Sequence, residues 1–244
     1  VGIDMMSIAF ITGCGHTGST LLARIIGNHS QIFLPLRETN IFLAYNALIY
    51  NFLLEVEMSN ATKEKSNAVY FIEKTPRHIW HVDYMRRVVK NSKFILTTRD
   101  GYDVIASLYK RNHNISESIT RFKDDSLLTI RQMGLNDSIL VKYEDVISNT
   151  DREVSRICDF LGLKYEKEML DYHKVKVSWN NVNLIKRGDG TEGDGHNNLR
   201  NWQANQPIYQ DKTSWKEVIP RKHWGQVSQF FDKSGNEIMK KLGY

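Results

Sequence analysis

Apolar and polar positions along this chain fall into two alternating regimes. Short β-rich apolar runs occupy residues 8–12, 69–72, 94–98 and 139–142, each the length of a strand buried on both faces. Helical periodicity fills the intervals. Leu21, Leu22, Ile25 and Ile26 form one stripe, and Val104, Ile105, Leu108 and Tyr109 repeat that spacing after the third run. The fourth run leads into a helix in which Thr150 and Glu153 have capping-box spacing, Val154, Ile157 and Leu161 share a face, and Gly162 marks the end. A terminal helix is expected over residues 221–241, packing through Trp224, Val227, Phe230 and Phe231. Strands that alternate with helices predict an α/β protein of three layers, a central parallel sheet flanked by helices. No internal repeat is visible, and 244 residues suit a single domain over residues 1–244.

One segment breaks the pattern. Residues 186–201, KRGDGTEGDGHNNLRN, are rich in Gly, Asp and Asn and read as a mobile, solvated loop. Its acids lack the spacing of a calcium loop, and His78 and His81 share a helix face without the further partners a zinc site needs. No metal site is expected. The net charge of +5 favours an anionic partner. The basic residues are spread along the chain, however, which argues against nucleic acid and for a small polyanionic ligand. Cys14 and Cys158 are the only cysteines, so there is no disulfide framework, and a reducing, cytoplasmic setting is expected. The first apolar run is too short to span a membrane, and no membrane segment is expected.

The sharpest local feature is Gly13-Cys14-Gly15-His16-Thr17-Gly18-Ser19-Thr20, between the first strand and the first helix. Glycines there let backbone N–H groups converge on an anion. The helix N-terminus behind them adds unsatisfied donors and the positive end of a dipole, and Thr17, Ser19 and Thr20 add hydroxyls. Gly13 and Gly18 have the spacing of a nucleotide-binding P-loop, yet Ser19 stands where its lysine belongs. A kinase built on this loop would lack its main side-chain cation for the β- and γ-phosphates. The loop reads as a phosphate binder of another kind.

In these motifs and their order the chain resembles the sulfotransferases that use 3′-phosphoadenosine 5′-phosphosulfate (PAPS), and among them the tyrosylprotein-sulfotransferase-like and bacterial branch. In that family a strand, a loop similar to Pro-Arg-Ser-Gly-Thr-Thr and a helix hold the 5′-phosphosulfate. Gly15, His16, Thr17, Gly18, Ser19 and Thr20 occupy those places. His29-Ser30-Gln31-Ile32 resembles the family's short His-Pro turn. Arg37-Glu38-Thr39 is similar to the Glu-Thr pair that supplies the general base, which implies Glu38 in that role. The family also carries an arginine at a strand end and a serine on the next helix, which grip the 3′-phosphate. Arg99 and Ser107, eight residues apart, match this, since about two helical turns return the serine over the strand end. Arg111 falls where a further basic cofactor contact is usual. Glu73-Lys74-Thr75-Pro76 resembles the segment that places a cation, here Lys74, by the sulfuryl group. Val141-Lys142-Tyr143-Glu144-Asp145 resembles the strand end before a helix. Residues 209–216 resemble the late segment that covers the cofactor, with Lys212 and Ser214 as contacts. Together the motifs cover residues 8–216.

The chain departs from the family pattern in two places. Most members carry Lys or Arg where this chain has His16, although some bacterial-type members share Gly-Cys-Gly-His. The small-molecule branch takes its base from a histidine two residues beyond a lysine. Counted from Lys74 that position is Pro76, and nearby His78 is the alternative base. The resemblance implies a P-loop-like α/β fold, PAPS as donor, PAP as product, and metal-independent in-line transfer to a hydroxyl or amine. Glu38 would accept the proton while Lys74 and a positively charged His16 meet the developing charge. The acceptor, whether saccharide, peptide tyrosine, lipid or small metabolite, is open, as is the oligomeric state. A P-loop-like nucleotide kinase and a non-catalytic PAP-binding module are the alternatives.

Overall fold

In the computed structural model, which describes residues 6–43, 47–182, 187–189, 194–209 and 213–244, the apolar runs become strands. They are β1 (Ser7–Gly13), β2 (Ile32–Phe33), β3 (Tyr70–Lys74), β4 (Lys93–Thr98) and β5 (Ser138–Lys142). Only β2, with two residues, escapes the periodicity, because alternation needs several residues to show. The helices are α1 (Ser19–Gly27), α2 (Ala47–Glu64), α3 (Val82–Val88), α4 (Gly101–Asn112), α5 (Ile115–Gln132), α6 (Tyr143–Ser148), α7 (Thr150–Leu161), α8 (Asp194–Ala204), α9 (Trp215–Val218), α10 (Trp224–Phe230) and α11 (Asn236–Lys241).

The strands lie in the order β2-β3-β1-β4-β5, and every pair is parallel. Alternation along β1 explains the three layers. Ala9 and Ile11 pack with Leu22, Ile25 and Ile26 of α1 and with Val154 and Ile157 of α7. Ile8 and Phe10 pack on the opposite face with Ile79, Val82 and Met85. A third cluster joins α4, α5 and the C-terminal helices through Ile105, Phe122, Val227, Phe231 and Ile238. β3 lies on one side of β1 and β4 on the other. Parallel α/β sheets open a crevice at the carboxyl ends of the strands where the strand order reverses, and here that place is the end of β1.

Three expectations need correction. Thr150 and Glu153 form no capping box. Asn149 alone separates α6 from α7, so the Thr150 hydroxyl donates to the Val146 carbonyl at 2.6 Å, and Glu153 pairs with Arg156 at 2.7 Å. The opposite end behaves as expected, with Gly162 at φ 77° closing α7. The terminal helix is interrupted by a π-helical turn, Phe231–Gly235, between α10 and α11. The segment over residues 186–201 is not all loop, because from Asp194 onward it is helix α8. Among the described residues no helix is long and apolar enough to cross a membrane.

Candidate active site

The loop after β1 is shaped by backbone conformation first. Gly13 has φ 135° and Gly18 φ 79°, a region that side chains disfavour. A Cβ on Gly18 would also collide with the Tyr143 ring. The Thr17 hydroxyl donates to the Cys14 carbonyl at 2.7 Å and lies 2.7 Å from the Thr97 hydroxyl, so Thr17 ties the loop to itself and to β4. Gly18 caps α1 without a side-chain hydrogen bond, and the first turn holds no acid. The N–H groups of that turn therefore face the crevice uncancelled, as an anion site requires.

Two clefts open beside the loop. The first is lined by Gly18, Thr20, Arg99, Ser107, Tyr143 and Tyr209, among others. Arg99 donates to Asp103 at 2.8 Å and stacks 4.6 Å over the Tyr143 ring, while its buried Nε has no hydrogen-bond partner among the described residues. Asp100, its sequence neighbour, instead caps α4. Arg99 and Ser107 thus meet in one cleft as their spacing predicts, with an orphaned donor to offer. The second cleft, of about 260 Å³, is lined by Gly15, Ser19, Glu38, Arg77, Arg111, Arg121 and His196, among others. Arg111 belongs to this cleft and not to that of Arg99.

Glu38 and Lys74 come together as a pair. Lys74, the last residue of β3, is 1% exposed and places Nζ 2.6 Å from Glu38 Oε1 and 4.9 Å over the Trp179 ring. Burial pulls the Lys74 ammonium below its usual range and the Glu38 charge opposes that shift. Glu38 itself is 38% exposed, and its N–H donates to Asn180 Oδ1 at 3.3 Å. His78 is enclosed behind them. Its Nε2 accepts from the Phe42 N–H at 3.2 Å, and Nδ1 lies 2.9 Å from Glu73 Oε2 with both side chains fully buried. Glu73 Oε1 in turn accepts from the hydroxyls of Thr39 and Thr75. Burial alone would raise the Glu73 pKa, but His78, Thr75 and Thr39 outweigh it and hold the carboxyl low. His78 lines neither cleft, whereas Glu38 lines the second.

His16 differs from expectation in its charge. Its Nδ1 lies 2.7 Å from Ser107 Oγ and 3.3 Å from Arg200 Nη2. A guanidinium only donates, so Nδ1 is the acceptor and the proton sits on Nε2. Burial first, then the Arg200, Arg121 and Arg111 charges, hold the ring well below the ordinary imidazole range. His16 is therefore neutral, and its buried Nε2–H has no hydrogen-bond partner among the described residues. His196, whose ring centroid is 5.8 Å away, is likewise pushed down to about 3 by burial and by the same cations.

The sequence reading missed Arg200 and His196 because both lie in the stretch taken for solvated loop. Of the late segment, Lys212 lies outside the described residues. Ser214 caps α9 in a capping box with Glu217. Arg121 was missed for another reason. It sits on α5, and its guanidinium approaches the loop so closely that a Cβ on Gly15 would come within 2.7 Å of it.

The sequence profile of the sulfotransferase family matches residues 40–167. A Caenorhabditis briggsae protein assigned as a protein-tyrosine sulfotransferase is 33% identical over 102 residues, which are 37% of this chain and 36% of its own length. This chain therefore spans well under half of that relative. The sulfotransferase domain of the Synechococcus PCC 7002 olefin synthase has a similar structure, with a TM-score of 0.61, 16% identity and 94% of each chain covered. A mouse sulfotransferase complexed with PAP follows with a TM-score of 0.55, 14% identity, and coverage of 100% of this chain and 90% of its own.

Proposed function

Because the chain belongs to the sulfotransferase family, we propose that it moves a sulfuryl group from PAPS to an acceptor hydroxyl or amine and releases PAP, with residues 1–244 acting as one domain. One observation carries this reading: an uncapped helix N-terminus lies between a cleft holding Arg99 and Ser107 and a cleft holding Glu38. The residues fit the donor. Arg99 Nε and His16 Nε2 are buried donors without partners among the described residues, and the loop N–H groups supply the rest. Arg99 and Ser107 would take the 3′-phosphate, and residues 15–20 the 5′-phosphosulfate.

When bound, PAPS supplies a sulfur whose bond to the 5′-phosphate oxygen breaks, the electron pair leaving with that oxygen, as the acceptor oxygen bonds to sulfur. The protein's part is proton transfer and charge placement. Lys74 occupies Glu38 Oε1, so Oε2 is the oxygen that takes the acceptor's proton. The α1 amides and neighbouring cations steady the charge that leaves with PAP. Ser19 in place of a P-loop lysine speaks against a kinase. The Caenorhabditis relative's assignment supports a peptide tyrosine as acceptor. The free, buried Cys14 and Cys158 support a reducing, cytoplasmic setting.

The test is incubation with sulfur-labelled PAPS and a panel of tyrosine peptides, saccharides, lipids and small phenols. The expected result is label in one acceptor class with an equal yield of PAP. PAP binding without transfer to any acceptor would instead favour the non-catalytic module, and turnover of ATP with Mg²⁺ the kinase.

A further inference from the structure

In-line transfer builds negative charge on the transferred group and the leaving oxygen, and a preorganised cation beside the loop stabilises it. The two cations expected there from the sequence are not available. His16 is neutral, because it accepts from a guanidinium. Lys74 is 1% exposed, its ammonium held on Glu38 and over Trp179. One cation does stand at the junction. The residues that line both clefts are His16, Thr20 and Arg200, so Arg200 occupies the passage between the proposed 3′-phosphate site and the proposed base. Its Nη1 donates to Gln203 Oε1 at 2.9 Å and its Nη2 to His16 Nδ1 at 3.3 Å, and the Glu38 charge favours its ionised form. Its position is imposed by two buried side chains at the C-terminal end of α8. Asn201 Oδ1 accepts from the Trp179 N–H at 2.7 Å, and Asn205 bonds both the N–H and the carbonyl of Val177, at 2.8 and 2.9 Å.

We infer that Arg200, brought in by α8, is the cation that contacts the donor's 5′-phosphosulfate, in place of a charged residue at position 16, with neutral His16 beside it as an Nε2–H donor. This rests on the sulfotransferase reading. The loop contributes shape and neutral donors, and the charge arrives from a helix some 180 residues later in the chain. The guanidinium also fixes the His16 tautomer, so one residue supplies the cation and orients the second donor.

The test is a charge swap. Arg200→Gln should lower transfer about 10²–10³-fold, the usual loss for one such donor, and should weaken PAP binding by calorimetry about tenfold or more. Adding His16→Arg to that variant returns the cation to the loop and should recover at least about tenfold of both losses, following the same magnitudes. Arg200→Gln that binds PAP and transfers like the parent would overturn the inference, and so would a swap that recovers neither. Where the Gln variant lacks a cooperative melt, Arg200→Lys decides, since it keeps the charge. A loss under about tenfold supports the assignment and a larger loss overturns it. A parent protein that binds no PAP would fail earlier and would remove the sulfotransferase reading itself.

Discussion

The loop after β1 and helix α8 meet at His16, yet they are held in place by different physics. The loop hangs from the central strand, whose Phe10 and Ile11 are fully buried, and it is closed by short-range bonds such as Thr17 to Cys14. Helix α8, DGHNNLRNWQA, has little apolar surface to offer. It is docked by buried polar side chains on backbone groups, Asn201 and Asn205 on residues 177 and 179. From the other side Arg24 donates to the carbonyls of Ala204 and Tyr172 at 3.1 and 2.7 Å. A buried polar group left unpaired costs about 1–3 kcal/mol, so this docking is as specific as apolar packing. The comparison teaches that half of the site is fixed by hydrophobic pattern and half by hydrogen-bond satisfaction.

Variants can break each half separately. The largest effect is expected at Glu38, which bonds Lys74 of β3 and Asn180. Glu38→Gln keeps the shape and should lower kcat about 10²–10⁴-fold, while calorimetry should find PAP affinity unchanged. A near-normal kcat would remove Glu38 as base. On the sheet side, Arg99→Ala should weaken PAP binding by about 1.5–3 kcal/mol and spare adenosine 5′-phosphosulfate, which lacks the 3′-phosphate. Equal losses for both ligands would show that Arg99 supports the fold. On the α8 side, Asn205→Ala removes the side chain that pairs the half-buried Val177 N–H and carbonyl. It should cost about 1–3 kcal/mol of stability in urea unfolding, and a change within error would mean that α8 is not docked as described.

The smallest effect is a pH dependence. His16 and His196 are both held below the ordinary value of 6.5, so the folded, ligand-free protein keeps them neutral while the unfolded chain protonates them. The unfolded state then binds more protons below pH 6.5, and stability should fall as pH drops from about 7 to 5. The slope is at most about 1.4 kcal/mol per pH unit for each histidine, and less for the partly exposed His196. Bound PAP places negative charge beside both rings and should flatten the slope in thermal melts. A melting temperature indifferent to pH in this window would contradict the neutral assignment. The same assignment removes any fall of activity at alkaline pH attributable to a His16 imidazolium.

What could be read from the sequence follows the same division. Strands β1, β3, β4 and β5, α1, α4 and the phosphate loop were legible because a buried parallel sheet demands contiguous apolar runs and the loop demands glycines at fixed places. The pairing of Arg99 with Ser107 was legible because both lie on one strand–helix unit, where spacing determines position. Glu38 and Lys74 were legible singly, but their ion pair joins segments with no common period. Arg200 was hidden by composition, since a stretch rich in Gly, Asp and Asn looks solvated whether its polar groups face water or buried backbone. The charge of His16 was misjudged for the same reason, because it depends on Arg200.

Calorimetric titration of the wild-type protein with PAP, and in parallel with ATP and Mg²⁺, measures directly what the cleft between these two regions binds. PAP should bind the more tightly, and at a hundredfold excess over its Kd it should stabilise the fold by about 2.7 kcal/mol. Tighter binding of ATP with Mg²⁺ would contradict the account.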